Sequence, residues 1–320
     1  MALDKRFLSI DDLTHMPVPL WSVEGLFEVN SLTMLSGPPG NYKSFLVLDW
    51  MLCCACGMKW QGRSTTPARV LYVLGEGKAS LLKRIKAWMD HHHPTPDQSN
   101  LIMENFRISF EVPQMAMKSS VDNMLSQLEA EQYHPTLIVI DTFARSFVGL
   151  DENAQKDVGL WVEQADRLRQ LGYTVIFLHH TKKNTEFGLQ YRGSSAILGA
   201  MDTAMTLSKD QSGKIKLSVV KQKDHEEGAP IYMVAKSANG TEGSCVLLPT
   251  IKKDIVLPEY AGGADTNEVN QVASDLILDN DFDSDSKRAQ ELMTRFGLGF
   301  EAAKKRIARA RGLNMDEVTS

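Results

Sequence analysis

A short apolar run, a turn rich in glycine and proline, and a helix that opens with Lys-Ser follow one another between residues 32 and 44. The run covers residues 32–36, and the turn reads Gly37-Pro38-Pro39-Gly40-Asn41-Tyr42 before Lys43 and Ser44. A strand that passes through such a turn into a helix N-terminus is the context of a P-loop, whose backbone N–H groups surround a phosphate. This stretch therefore predicts a strand, a phosphate-binding loop and a helix, in that order.

Two side chains of the predicted loop would have defined roles. Lys43 would reach the β- and γ-phosphates of a nucleotide, and the Ser44 hydroxyl would bind Mg²⁺. The residue before the lysine, normally glycine, is Tyr42, and a side chain there crowds the loop or requires a different backbone angle. An ordinary glycine-containing turn between a strand and a helix is the alternative interpretation.

Apolar runs without polar alternation are separated by helical patterns up to residue 178. This order predicts an α/β fold with a mostly parallel sheet and helices on both faces. The predicted strands are residues 32–36, 70–74, 107–110, 137–140 and 175–178, and the predicted helices are residues 44–56, 80–90, 121–131 and 154–171.

The pattern changes after residue 203, where short strands follow one another with only turn signals such as Gln211-Ser212-Gly213 between them. These strands, at residues 204–208, 214–220, 231–236 and 244–248, predict antiparallel hairpins that extend the sheet. We therefore predict an N-terminal segment at residues 1–30, an α/β core at residues 31–258, a linker at residues 259–266 and a helical tail at residues 267–320.

The predicted tail consists of two short helices. Ser286 would cap a helix at residues 287–296, Gly297-Leu298-Gly299 would form a turn, and a basic helix would cover residues 300–311. Two helices joined in this way are similar to a helix-turn-helix, which would bind DNA. Charged helices are also common as solvated faces, and that interpretation stays open.

Length and composition bound the class of the protein. With 320 residues, 43% of them hydrophobic, the chain can bury one sizeable core with a small appendage. The net charge of −5 and the pI near 5.9 mean that a polyanionic partner would have to bind a local patch. The sequence has no apolar run of membrane-spanning length, no signal peptide and only four cysteines, so we expect a cytoplasmic protein without a membrane partner or a disulfide framework.

Two carboxylates follow predicted strands. Asp141 comes directly after the apolar residues 137–140, and Glu76 stands between Gly75 and Gly77 after residues 70–74. The carboxyl ends of parallel strands meet at the edge where ligands bind. We expect Asp141 to anchor Mg²⁺ and Glu76 to deprotonate an attacking water; a solvated turn residue is the alternative for Glu76.

Polar residues also follow the strand at residues 175–178. His179 and His180 end that strand, and one of them would sense the γ-phosphate, although a structural histidine is the more common case. The loop that follows is basic at Lys182 and Lys183 and ends near Tyr191. Such a loop could contact single-stranded DNA through its backbone and bases. An ordinary surface loop is the alternative interpretation. In contrast, residues 91–93, three histidines before Pro94, predict a solvated loop.

Taken in order, these motifs resemble the RecA-like ATPases, and within them the RepA-type hexameric replicative helicases of plasmids and phages. The matching stretches are Gly37–Ser44, the strands that end at Glu76 and Asp141, the His179-His180 pair, and Arg192-Gly193-Ser194-Ser195. Together they span about residues 30–225. The resemblance implies a RecA-like fold, ATP and Mg²⁺ as cofactors, and hydrolysis of ATP coupled to movement on single-stranded DNA.

The resemblance also implies roles for individual residues. Arg192 would act as an arginine finger in a neighbouring subunit, which implies a homo-oligomer, either a ring or a filament. The resemblance favours a hexameric ring, for which replication partners are expected. Lys221 or Lys223 would supply a second γ-phosphate contact. A RecA-like recombinase or recombination mediator, and a nucleotide-switched regulatory ATPase without motor activity, are the alternative functions.

Overall fold

The computed structural model describes residues 7, 9–15, 18–151, 154–181, 195–238 and 244–250, with seven further positions between residues 284 and 307. The chain divides into two compact units, Met1–Thr250 and Ile251–Ser320. The predicted linker at residues 259–266 lies outside the described residues, as does most of the predicted helix-turn-helix tail. Both stay predictions, and the architecture below is that of the first unit.

The first unit contains short helices and strands throughout its described residues. Its helices are α1 (Ile10–Thr14), α2 (Lys43–Cys56), α3 (Lys78–His92), α4 (Pro96–Asn105), α5 (Lys118–Ala130), α6 (Gln155–Gln170) and α7 (Ser195–Ala200), with a 3₁₀ helix at Phe143–Ser146. Its strands are β1 (Trp21–Val23), β2 (Phe27–Glu28), β3 (Leu32–Gly37), β4 (Val70–Leu74), β5 (Phe106–Ser109), β6 (Leu137–Asp141), β7 (Thr174–His180), β8 (Thr203–Lys209), β9 (Lys214–Gln222), β10 (Ile231–Ser237) and β11 (Cys245–Thr250).

Nine of these strands form one sheet in the order β11-β10-β9-β8-β3-β7-β6-β4-β5. The six strands from β8 to β5 pair in parallel, and β8 to β11 pair antiparallel. This is the predicted RecA-like sheet with its antiparallel extension. Because β3, β4, β6 and β7 run in the same direction, the residues that follow them meet at one edge, which we call the carboxyl edge.

Helices cover both faces of the sheet, as predicted. On one face α2 packs against α3 and α4, and it is apolar on nearly every side, with Leu46 and Trp50 fully buried. On the other face α6 contributes Trp161, whose ring lies 4.3 Å from that of Phe177 in β7. A helix that is apolar all round is stable only when it is covered on all sides, which explains the central position of α2.

Several elements were not among the predictions, namely the hairpin β1–β2, the helices α1, α4 and α7, and the 3₁₀ helix. The hairpin β1–β2 belongs to the core, since Val23 and Phe27 are buried and the Phe27 ring lies 5.5 Å from that of Trp50. Helix α4 begins with a capping box, in which Thr95 Oγ1 accepts from Gln98 N at 3.2 Å and Gln98 Oε1 accepts from Thr95 N at 2.9 Å. The Thr-x-x-Gln spacing with proline at the first helical position could have predicted α4.

The expectation of a solvated loop at residues 91–93 is wrong for His92 and, in secondary structure only, for His91, since His91 and His93 are both exposed. His91 and His92 are the last residues of α3. The His92 ring stacks on that of Trp88 at a centroid distance of 4.5 Å, and its Nε2 lies 3.6 Å from Asp49 Oδ1. Burial lowers the pKa of His92 to about 4, so this histidine is a neutral packing residue near neutral pH.

Asp49 is the polar centre of the core around α2. Its two carboxyl oxygens accept hydrogen bonds from the indole N–H groups of Trp88 and Trp60, both at 2.7 Å. Burial raises the pKa of Asp49 to about 6, and these donors oppose that rise. One carboxylate thus links α2 to α3 and to the segment after α2, and it satisfies two buried donors that would otherwise lack acceptors.

Replacing Asp49 with asparagine should destabilise the fold. The side-chain amide keeps one acceptor oxygen but turns an NH₂ group toward the second indole, which leaves a buried donor without an acceptor. We expect the free energy of unfolding, measured by urea titration, to fall by about 1–3 kcal/mol. The exposed Asp90→Asn in α3 is the control; equal stability of Asp49→Asn and Asp90→Asn would contradict this role.

Candidate nucleotide site

The loop between β3 and α2 has the backbone of a phosphate-binding loop. Gly40 and Tyr42 both have positive φ angles, 80° and 64°, and Tyr42 O accepts the hydrogen bond from Leu46 N at 3.0 Å that opens α2. Tyr42 therefore adopts the left-handed conformation that glycine normally supplies at this position. That conformation costs a side chain about 1 kcal/mol.

Contacts of the Tyr42 ring offset this cost. The ring meets that of Phe45 edge to face at 5.7 Å, and Lys209 Nζ lies 5.1 Å from its centroid. The side chain thus packs beside the loop, and the predicted crowding is resolved by a backbone angle and by packing against α2 and β8.

Residue 37, the last residue of β3, must be glycine because β8 approaches its backbone too closely for a side chain. A Cβ atom at this position would lie 2.3 Å from the carbonyl oxygen of Leu207. Asn41 Nδ2 donates to the same carbonyl at 3.5 Å. The start of the loop is therefore held directly against the backbone of β8.

Lys43 is buried under the loop. Its Nζ donates to the carbonyls of Gly37 and Pro38 at 2.7 and 3.0 Å and lies 3.1 Å from His180 Nδ1. Burial lowers the pKa of Lys43 to about 8, while the charge of Asp141 opposes that shift. The lysine thus lies where the resemblance expects it, with its ammonium group on the carbonyls of the loop that would surround a phosphate.

Ser44 and Asp141 lie side by side at the carboxyl edge. Burial raises the pKa of Asp141, and hydrogen bonds from the Ser44 side chain and from Tyr72 oppose the shift. The Tyr72 hydroxyl donates to Asp141 Oδ2 at 3.0 Å. A hydroxyl and a carboxylate are hard oxygen donors of the kind that Mg²⁺ prefers. Among the described residues no group of three or more His, Cys, Asp or Glu could hold a metal, so Mg²⁺ here would also need water and substrate phosphates.

Glu76 extends from the same edge. Gly75 N donates to Asp141 O at 2.6 Å, which fixes the end of β4 against β6. The Glu76 side chain is half exposed, and its Oε1 accepts from Arg145 Nε at 2.9 Å. Its charge also raises the pKa of His180, against the larger lowering by burial. Glu76, Asp141, Lys43 and His180 thus form one electrostatic group, as the strand-end pattern predicted.

The structure separates the two histidines of β7. His180 lies next to Lys43, at the site. His179 points into the core, where it is 2% exposed and its ring meets that of Phe143 at 5.1 Å. Adjacent residues of a strand face opposite sides of the sheet, so of the two histidines it is His180 that lies against Lys43.

Arg84 lies near the site and was not among the predicted residues. Its guanidinium lies 4.5 Å from the centroid of the Phe45 ring, and its charge opposes the rise in the pKa of Asp141. Within the described residues its buried Nε has no hydrogen-bond partner. Only the packing of α3 against α2 reveals this cation, because nothing in the sequence around residue 84 distinguishes it from other basic helix residues.

The γ-phosphate contact expected of Lys221 or Lys223 stays a prediction, and the structure places both lysines away from the P-loop of the same chain. Because β9 runs antiparallel to β8, the end of β9 lies beside the start of β8, at the edge opposite the P-loop. Lys221 Nζ instead donates to two carbonyls at the end of α7 at 2.9 and 2.8 Å, and Lys223 Nζ lies 3.5 Å from Asp202.

The loop predicted to bind DNA lies outside the described residues. This applies to Lys182, Lys183, Tyr191 and Arg192. Its starting point is described, because Thr181 N donates to Gly37 O at 3.2 Å. Thr181, the last described residue before this loop, therefore lies at the carboxyl edge, beside the P-loop.

Comparison with known families agrees with this geometry. Residues 3–186, more than half of the chain, match a family model described as an AAA domain. The match includes the P-loop, Glu76, Asp141 and both histidines of β7. A comparison with curated proteins finds no match. None of the described helices is long and apolar enough to span a membrane.

Gly37→Ala should disturb the site through β8. The added methyl group would collide with a backbone carbonyl, which cannot rotate away as a side chain can, so the P-loop and β8 must separate. We expect the free energy of unfolding to fall by about 1–3 kcal/mol and nucleotide affinity to fall with it, measured by urea titration and by binding of a fluorescent ATP analogue. The control is Gly159→Ala in α6, where a Cβ meets no atom within 4 Å; equal behaviour of the two variants would contradict the account.

Proposed function

We propose, from the premise that this chain belongs to the AAA domain family of P-loop ATPases, that it couples ATP hydrolysis to movement along single-stranded DNA. The observation that carries the proposal is the arrangement at the carboxyl edge. The P-loop lysine, Ser44 beside Asp141, and a strand-end glutamate meet there, and Thr181, which precedes the predicted DNA loop in sequence, is hydrogen-bonded to Gly37.

The geometry supports a separate role for each of these residues in ATP hydrolysis. The P-loop backbone and Lys43 bind the β- and γ-phosphates, and Ser44 and Asp141 would hold Mg²⁺, which neutralises phosphate charge when it is bound. Glu76 orients a water molecule and takes its proton as the oxygen attacks the γ-phosphorus. The bond from that phosphorus to the bridging oxygen breaks, and ADP and phosphate are the products.

A path from the nucleotide to the DNA loop supports motor activity. Lys43 contacts His180, and Thr181 is hydrogen-bonded to Gly37 at the start of the P-loop. A phosphate that draws Lys43 away from His180 would change the contacts at the end of β7. Lys182 and Lys183 follow directly, so this change would reach the residues that we expect to hold DNA.

The finer proposal is a ring-forming replicative helicase of the RepA type. It rests on the resemblance of the motif order, and it assigns Arg192 to the active site of the next subunit. Hexameric assembly and replication partners rest on the same resemblance. A recombinase would instead exchange strands, and a regulatory ATPase would hydrolyse ATP at a rate that DNA does not change.

Replacing both Lys182 and Lys183 with alanine should uncouple DNA from hydrolysis. We expect the double variant to keep basal ATPase activity and to lose its stimulation by single-stranded DNA, because two phosphate contacts disappear. DNA affinity should also depend less on salt. In a plot of the logarithm of affinity against the logarithm of salt concentration, the slope should become smaller in magnitude by about 1.4.

The control is the double variant Lys216→Ala/Lys236→Ala. It removes the same charge from exposed positions of the antiparallel extension. ATPase rates with and without single-stranded DNA, fork unwinding and strand exchange are measured on each preparation. Wild-type protein that DNA does not stimulate would overturn the motor proposal, and strand exchange without unwinding would replace the helicase with a recombinase.

A further inference from the structure

The hydroxyl group of Tyr72 forms a hydrogen bond with Asp141 that the mechanism above does not use. It donates to Asp141 Oδ2 at 3.0 Å, and the two residues are 1% and 3% exposed. Burial and the charge of Asp141 raise the pKa of Tyr72, so the phenol keeps its proton and is the donor. One oxygen of the carboxylate proposed to hold Mg²⁺ is thus occupied by a buried group.

The pairing of β4 with β6 determines this contact. The two strands are parallel neighbours, in which Tyr72 pairs with Val139 and Leu74 pairs with Asp141. Tyr72 therefore lies two residues before Asp141 on the same face of the sheet, and its hydroxyl must reach about 6.6 Å along the strand direction. A phenol is long enough for that reach, whereas the hydroxyl of a serine or a threonine at this position is not.

The Tyr72 ring is held by its surroundings. Its centroid lies 6.0 Å from that of Phe106 in β5, and the ring belongs to the buried core that the sheet forms with α2. The backbone of Asp141 is tied to the end of β4 as well, because Gly75 N donates to Asp141 O at 2.6 Å. A packed ring and a fixed backbone together restrict the orientation of the carboxylate.

The occupied oxygen limits what Asp141 can offer to a cation. Ca²⁺ accepts many oxygens in flexible geometry and often takes both oxygens of one carboxylate, whereas Mg²⁺ requires near-ideal octahedral geometry and keeps several waters. A cation that needed both oxygens of Asp141 would compete with the Tyr72 hydroxyl for Oδ2. A carboxylate that is restricted in this way favours the smaller ion.

We propose that Tyr72 is a positioning residue that makes the nucleotide site selective for Mg²⁺ over Ca²⁺, because it holds Asp141 so that one carboxyl oxygen serves the cation. This inference rests on the proposed function, since it concerns the same ATP site, but it involves no DNA. Groups that hydrogen-bond a metal-binding carboxylate fix its orientation, and the loss of one typically lowers metal affinity by about 10- to 100-fold.

The test measures the affinity of a fluorescent, non-hydrolysable ATP analogue while free Mg²⁺ or free Ca²⁺ is varied. Wild type should need less Mg²⁺ than Ca²⁺ for half-maximal binding. Tyr72→Phe keeps the ring and removes the hydroxyl. It should raise the Mg²⁺ requirement about tenfold or more and the Ca²⁺ requirement by less, so the preference for Mg²⁺ narrows. Both ions are compared on one preparation, so an unfolded fraction cancels in their ratio.

Tyr133→Phe is the matched control, because it removes the hydroxyl of another buried tyrosine. The Tyr133 hydroxyl lies within hydrogen-bond distance of the carbonyls of Val70 and Asn105, at 2.9 and 2.8 Å, so it does not act on Asp141. The control should lower the melting temperature and keep the wild-type preference for Mg²⁺. A loss of stability alone does not change the ratio of the two ions.

The outcomes separate this inference from the proposed function. An unchanged Mg²⁺ requirement and preference in folded Tyr72→Phe overturns the role of Tyr72 and leaves the proposed function standing, and so does an equal shift in Tyr133→Phe. Wild-type analogue affinity that Mg²⁺ does not change overturns both. A Mg²⁺ preference that narrows in Tyr72→Phe, together with wild-type hydrolysis that DNA does not change, supports the role of Tyr72 and overturns the motor proposal.

Discussion

A buried lysine ammonium is the interaction on which the site depends. Lys43 Nζ finds acceptors in the carbonyls of Gly37 and Pro38 and lies against the ring nitrogen of His180. Because an unpaired buried cation is costly, these partners keep the P-loop, β3 and β7 in a fixed relation. The pKa of Lys43 is lowered because burial outweighs the attraction of Asp141. A bound phosphate would reverse that balance by adding negative charge beside the ammonium.

Around this cation the sheet collects groups that are far apart in sequence. Parallel pairing of β3, β7, β6 and β4 brings Ser44, Asp141 and Glu76 to one edge, and Gly37 and Gly75 permit backbone approaches that a side chain would block. The site is therefore a consequence of strand direction and of two glycines as much as of its polar residues.

Much of this arrangement could be predicted from the sequence, because local pattern determines it. Apolar runs that end in Asp141, in Glu76 after Gly75, or in two histidines predict both the strands and the edge that their polar residues share. Long-range packing determines the rest. Nothing local places Trp88 on Asp49 or Arg84 on Phe45. The direction of β9, which carries Lys221 away from the P-loop, depends on its pairing with β8.

The central claim is that the carboxyl edge hydrolyses ATP with Glu76 as the base. The most direct test compares wild type with Glu76→Gln, which keeps the size of the side chain and removes its ability to accept a proton, and with the exposed Glu129→Gln as control. ATP-analogue affinity and single-turnover hydrolysis are measured with Mg²⁺. The account predicts unchanged affinity and hydrolysis slower by about a hundredfold or more in Glu76→Gln. Hydrolysis at the wild-type rate, or a loss of affinity equal to the loss of rate, would contradict it.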